Sequence, residues 1–216
     1  MYRTNFKEEI LTESIQQVIH PEDYVVIKNF IDMAFLGMTK DSIEIRIINK
    51  YATVKNTILL FGLVLLFNFI IFPMSHKTNA ELPLLDLQIS YSPQKAYDII
   101  EKYSERERKN YLFAELTLDL IYPIVYSFLF CFIIFLIYKN ETLAKFPFLI
   151  LIFDYAENFG IVTMLYNYPD KLLNIARITS IATSIKWLLV SFSIIIITHG
   201  LWSKRQLWKT NKNNLL

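Results

Sequence analysis

Four stretches of this chain are apolar almost without interruption, and the charged residues between them fall in dense blocks over 1–55, 76–115 and the C-terminal end. A helix that crosses a bilayer needs about 20 predominantly apolar residues. The pattern therefore predicts an all-α, polytopic membrane protein: a four-helix transmembrane bundle with spans over 51–74, 112–138, 146–168 and 178–202. Residues 1–50 mix polar and apolar positions and are expected to form short surface helices, one of them opened by Pro21-Glu22-Asp23, because proline suits a first turn and acids suit the positive end of the helix dipole. Residues 203–216 form a basic tail.

The loop 75–111 has two patterns of its own. Leu85, Leu87, Ile89 and Tyr91 alternate with Asp86, Gln88 and Ser90, a period of two that predicts a short extended segment. Ser92-Pro93 then supplies a cap and a first-turn proline, and Ala96, Ile99, Ile100 and Tyr103 recur at helical spacing. An amphipathic helix that lies on the membrane face or caps the bundle is expected here.

The informative exceptions lie inside the spans. A charge at membrane depth costs about 2.5–3.5 kcal/mol on insertion scales, so it persists mainly where it is buried and useful. The second span carries Glu115, Asp119, Tyr122 and Tyr126 on one helical face, and Pro123 frees the carbonyl of Asp119 four residues earlier. The third carries Asp154, Glu157 and Asn158. The fourth has Thr179, Thr183 and Lys186 on one face and Ser180, Ser184 and Ser191 on the next.

A rise of about 1.5 Å per residue puts Asp119 about 10 Å deep, Glu157 about 15 Å and Lys186 about 12–16 Å, with Asn68 of the first span in the same zone. Asp119, Tyr122, Asp154, Glu157, Asn158 and Lys186 are therefore the candidate ligand-binding residues of one interior site. As many as four acids there face one lysine, so at least one carboxyl is expected to be protonated, metal-bound or open to water. Plainer readings stand beside this one. Glu115 is close enough to the interface to reach water, Tyr122 and Tyr126 serve equally well as core aromatics, and Lys186 as a structural partner of Asp119 or Glu157. The Ser and Thr positions of the fourth span are expected to be packing contacts.

Composition removes several functions. The net charge of +2, with no basic stripe, argues against nucleic acid. A single cysteine, Cys131, excludes an intrachain disulfide and a CxxC pair, and His20, His76 and His199 are too scattered for a zinc motif. No metal site is expected, and no cofactor or catalytic residue can be named. The first twenty residues lack the apolar core of a cleavable signal peptide. Four crossings place both ends on one side. That side holds thirteen Lys and Arg against eight on the other, which puts both termini in the cytoplasm and the loop 75–111 outside.

The succession Tyr91-Ser92-Pro93, Ala96-Tyr97, Tyr111-Leu112, Leu118-Asp119, Tyr122-Pro123, Tyr126, Phe153-Asp154, Glu157-Asn158 and Lys186-Trp187 resembles a family of uncharacterised bacterial four-helix membrane proteins over about 55–200. The resemblance implies the fold and no activity. Four-helix enzymes of the vitamin K epoxide reductase type are similar in architecture only, since their paired cysteines are missing here.

Three functions compete. The first is binding or transport of a small cationic, protonatable or lipid-like ligand at the acidic cluster. The second is an accessory or scaffold subunit with a structural polar core, in a homo-oligomer or with a partner membrane protein. The third is an intramembrane enzyme on a lipid-like substrate, with Glu115 and Asp119 or Asp154 and Glu157 offering oxygens to a hard cation.

The topology is testable. In a Cys131→Ser background, a Lys95→Cys variant should react with a membrane-impermeant thiol reagent added from outside to intact cells. Reaction only after access to the cytoplasmic face would invert the topology.

Overall fold

The computed structural model describes residues 43–75 and 82–213, and they are helical with no strand among them. Four helices are long and apolar enough to cross a membrane, over Val54–Met74, Glu105–Tyr138, Glu141–Asn167 and Leu173–Gln206. Of the surface helices expected over 1–50, only α1 (Ile43–Tyr51) belongs to the described residues.

The first span is α2, Val54–Leu66, which continues through a π-helical turn at Phe67–Ile71 into Phe72–Ser75. Thr53 caps its start by accepting from the Asn56 N–H at 3.2 Å. Pro73 has no N–H to offer the preceding turn, and the Phe72 N–H reaches back to the Phe67 carbonyl, one residue further than in an α-helix. No residue of Val54–Leu66 is buried.

The loop helix α3 (Pro93–Glu101) is capped by Ser92 as its sequence implies, and it closes the loop end of the bundle rather than lying free. Ala96, Tyr97 and Ile100 pack with Ile161, Met164, Leu165 and Ala176 into one core. The Tyr97 hydroxyl also accepts from the Leu172 N–H at 2.6 Å, which fastens α3 to the link between the last two spans.

The second span differs from the single helix expected over 112–138. It is built from α4 (Glu105–Glu115), opened by a full capping box between Ser104 and Glu107, and α5 (Leu118–Tyr138). The break falls at Leu116-Thr117. Thr117 has non-helical backbone angles, and its hydroxyl turns back to the Phe113 carbonyl at 2.6 Å. Short α6 (Glu141–Ala144) leads into α7 (Phe148–Asn167). The last span, α8, runs from Leu173 to Asn213 without interruption, so the basic segment after 202 continues the helix instead of forming a separate tail. Lys204, Arg205 and Gln206 are good helix formers, and no proline or glycine follows Gly200 to stop them.

The alternating segment 85–91 joins no sheet. It turns at Leu85–Gln88 and then lies along α8, whose side chains bind its backbone in series. Ser180 accepts from the Tyr91 N–H at 2.9 Å, Ser184 donates to the Ile89 carbonyl at 3.0 Å, Trp187 to Gln88 at 3.1 Å and Lys186 to Asp86 at 3.3 Å. Ser180 and Ser184 therefore hold the loop rather than a neighbouring helix. Non-helical backbone is tolerated at membrane depth only where protein or a cavity satisfies it, and α8 does so here.

The Thr179 face does pack against a helix. Gly160 of α7 sits so close to it that an added Cβ would stand 1.9 Å from the Thr179 hydroxyl. Gly160→Ala should therefore lower the stability of the detergent-solubilised protein by about 1–3 kcal/mol. Thr179→Ala in the same chain should recover part of the loss, as read by thermal unfolding. No loss in the single variant would show that α7 and α8 are not so tightly apposed.

Candidate functional site

Pro123 places the site. It lies inside α5, where it cannot donate to the Asp119 carbonyl. The Asn158 amide of α7 fills that vacancy with a 2.6 Å hydrogen bond to the Asp119 carbonyl, and the Tyr155 hydroxyl binds the next carbonyl, Leu120, at 2.7 Å. The polar positions of α7 are thus spent first on joining it to the proline-disrupted turn of α5. The pairing also brings Asp154, one turn from Asn158, beside Tyr126, which donates to its carboxylate.

Lys186 of α8 completes the group. Its ammonium forms an ion pair with Glu157 and lies 3.9 Å from Asp154 Oδ2. Thr183, one turn back, donates to the other Glu157 oxygen at 2.7 Å. Glu157 is wholly buried and Lys186 almost so. Removing both charges from water is costly, and the mutual attraction offsets that cost only when the remaining donors and acceptors are also satisfied. Here Thr183, Tyr126 and the Asp86 carbonyl do so.

In front of this pair lies a cavity of about 830 Å³ between α2, the loop, α5, α7 and α8. Of the six candidate residues, Asp119, Tyr122, Asp154, Asn158 and Lys186 line it. Glu157 does not, and reaches the cavity only through Lys186. Tyr122 accepts a 2.7 Å hydrogen bond from Asn68 of α2 and stacks edge-on against Phe72 and Tyr126. The Asp119 carboxylate, by contrast, has neither a hydrogen-bond donor nor a salt-bridge partner among the described residues.

Glu115 does not reach water. It is fully buried, and neither of its carboxyl oxygens has a hydrogen-bond partner among the described residues. The break at Leu116-Thr117 explains this: it interrupts the continuous face that Glu115 was expected to share with Asp119, and Glu115 is not part of the cavity wall.

The sequence reading missed Asp86, Trp187 and Thr183 as members of the site. Asp86 accepts from Tyr111 at 2.8 Å and lines the cavity from the loop side. Its one signal was an acid set among leucines. Nearby, burial pushes the Tyr91 phenol well above its ordinary range, with the Glu157, Asp86 and Glu115 carboxylates adding to the effect and Thr183 opposing it. Burial does the same to Tyr103. Both stay neutral around the site.

Acids outnumber bases on the cavity wall. Asp86, Glu107, Asp119 and Asp154 line it, with Lys186 as the sole basic residue among those described. Asp154 and Glu157 both turn to that lysine, and the described residues contain no group of three His, Cys, Asp or Glu side chains that could hold a metal ion. No family model matches the chain, and neither a curated protein nor a solved structure matches it.

The ion pair can be weighed by a double-mutant cycle. Lys186→Met alone strands Glu157 and should cost about 3–5 kcal/mol. Adding Glu157→Gln removes the stranded charge and should restore most of the stability. Equal unfolding midpoints for the single and double variants would mean that the two side chains are not paired.

Proposed function

We propose that the chain is a multi-pass membrane protein that binds, and in a transport cycle would carry, a small cationic or protonatable ligand in this cavity. The observation that carries the reading is the Asp119 carboxylate. It lines the cavity without a protein donor, while the neighbouring acids Asp154 and Glu157 are engaged by Lys186. A carboxylate is an acceptor only, and its strongest partners are cationic donors. The cavity also lies within the roughly 300–1,000 Å³ of small-molecule sites, with an apolar wall and a few convergent polar groups.

The resemblance stated above implies a bacterial inner membrane and the basic asymmetry supports both termini in the cytoplasm, and the cavity would then face the outer half of the bilayer. A second reading, an accessory subunit with a structural core, draws on the Lys186–Glu157–Thr183 and Asn158–Asp119 contacts, which would fix helix packing even without a ligand.

The two readings part on one experiment. A short water-soluble alkylamine should raise the unfolding temperature of the purified protein, and an alkyl sulfonate of the same chain length should not. At a hundredfold excess over the dissociation constant the gain corresponds to about 2.7 kcal/mol. Asp119→Asn keeps the shape and the hydrogen-bonding reach of the side chain, and should abolish the gain while leaving the unliganded protein folded. No shift with the amine, or equal shifts with both probes, would remove the cation reading and leave the structural one.

A further inference from the structure

The cavity wall is not uniform along the membrane normal. At its loop end stand Asp86, Gln88, Asn110, Asp119 and Tyr122. At its deep end stand Phe61, Val64, Leu129, Phe130 and Val190, with no polar side chain among them. Phe130 lies about 16 Å along α5 from Asp119, at 1.5 Å of rise per residue. Tyr126, Asp154 and Lys186 line the wall between the two ends, so the apolar part is the turn beyond Tyr126, about 6 Å to Phe130. A compact hydrophilic cation has no use for that apolar end, whereas the end of an alkyl chain would fill it.

The cavity also reaches the side of the bundle. Phe61 lines it and is still 51% exposed, although it lies about 10 Å into α2 from Val54. Exposure at that depth is exposure to lipid. The first span packs along the second, through pairs such as Phe67 and Tyr122 at 5.3 Å between ring centroids, and none of Val54–Leu66 is buried. Phe61 of the first span and Val190 of the last both line the cavity, which marks this side as the one nearest the lipid.

We infer that the natural ligand is a single-chain amphiphile with a cationic head, which enters sideways between the first and last spans. Its head would lie between Asp119 and Asp86 and its chain along Val64, Phe130 and Val190. The inference rests on the cation reading above and narrows it to a membrane-borne ligand. Moving an alkyl chain out of water is favourable, but a ligand already in lipid gains little from that transfer. Selectivity must then come from the acidic head site, and the deep end serves to fit a chain that cannot be left behind.

A long-chain alkylamine bearing a diazirine near its methyl end tests this in phosphatidylcholine nanodiscs. Photolysis should label Val64, Leu129, Phe130 or Val190. Excess unlabelled long-chain alkylamine should suppress the labelling, and the matching sulfonate should not. Asp119→Asn should abolish it. Val190→Trp, which fills the deep end, should weaken long-chain competition by about tenfold, the loss of one good contact, and leave stabilisation by the short amine intact. Labelling confined to lipid-facing positions such as Leu59 and Ile195, without competition, would overturn the inference. If the short amine still stabilises the protein through Asp119 in that case, the cation reading survives and only the chain is lost. If it does not, both fall.

Discussion

One ammonium group at membrane depth governs the arrangement of the last three spans. Lys186 is almost wholly buried, so its charge must be met chiefly by protein, and Glu157 and Asp154 of α7 meet it. Those two acids lie one turn apart on a helix that is itself tied to α5, through Asn158 to the Asp119 carbonyl and Tyr126 to Asp154. The buried pair thus sets α8 against α7, and the two hydrogen bonds set α7 against α5. A rotation of any one of them would strand a charge in low dielectric, which costs more than loss of an apolar contact.

The same lysine reaches to the loop. Its bond to the Asp86 carbonyl belongs to the series by which α8 holds the segment 86–91. The loop in turn delivers Asp86 to the cavity and, through Leu85 and Tyr111, ties α4 to the roof of the site. Structural and functional polarity are therefore not separate here. The groups that fasten the roof and the helices leave Asp119 as the acid of the wall with no hydrogen bond or salt bridge among the described residues.

The first span packs along α5. It touches α5 through an aromatic cluster around Tyr122 and one hydrogen bond from Asn68, and it has a π-helical turn at that level. Such turns cluster at functional sites because they re-aim a side chain without ending the helix. Asn68 lies within the turn and serves both the Val64 carbonyl and the Tyr122 hydroxyl.

The sequence alone determined the four spans, the capped loop helix and the level at which polar groups gather. Each follows from local properties: the length of an apolar run, a Ser-Pro start, and the position of an acid counted from a helix end. It also exposed the Asp119 carbonyl as a group that Pro123 must leave vacant. Only the tertiary structure decided who fills that vacancy, which acid takes Lys186, and that Glu115 is buried while Asp119 faces the cavity. Those outcomes depend on the break at Leu116-Thr117 and on a loop laid along α8, contacts between residues as far apart as Asp86 and Lys186. A helical pattern repeats every few residues and can be read in place, whereas the partner of a buried charge is chosen by whichever distant group the packed chain brings within reach.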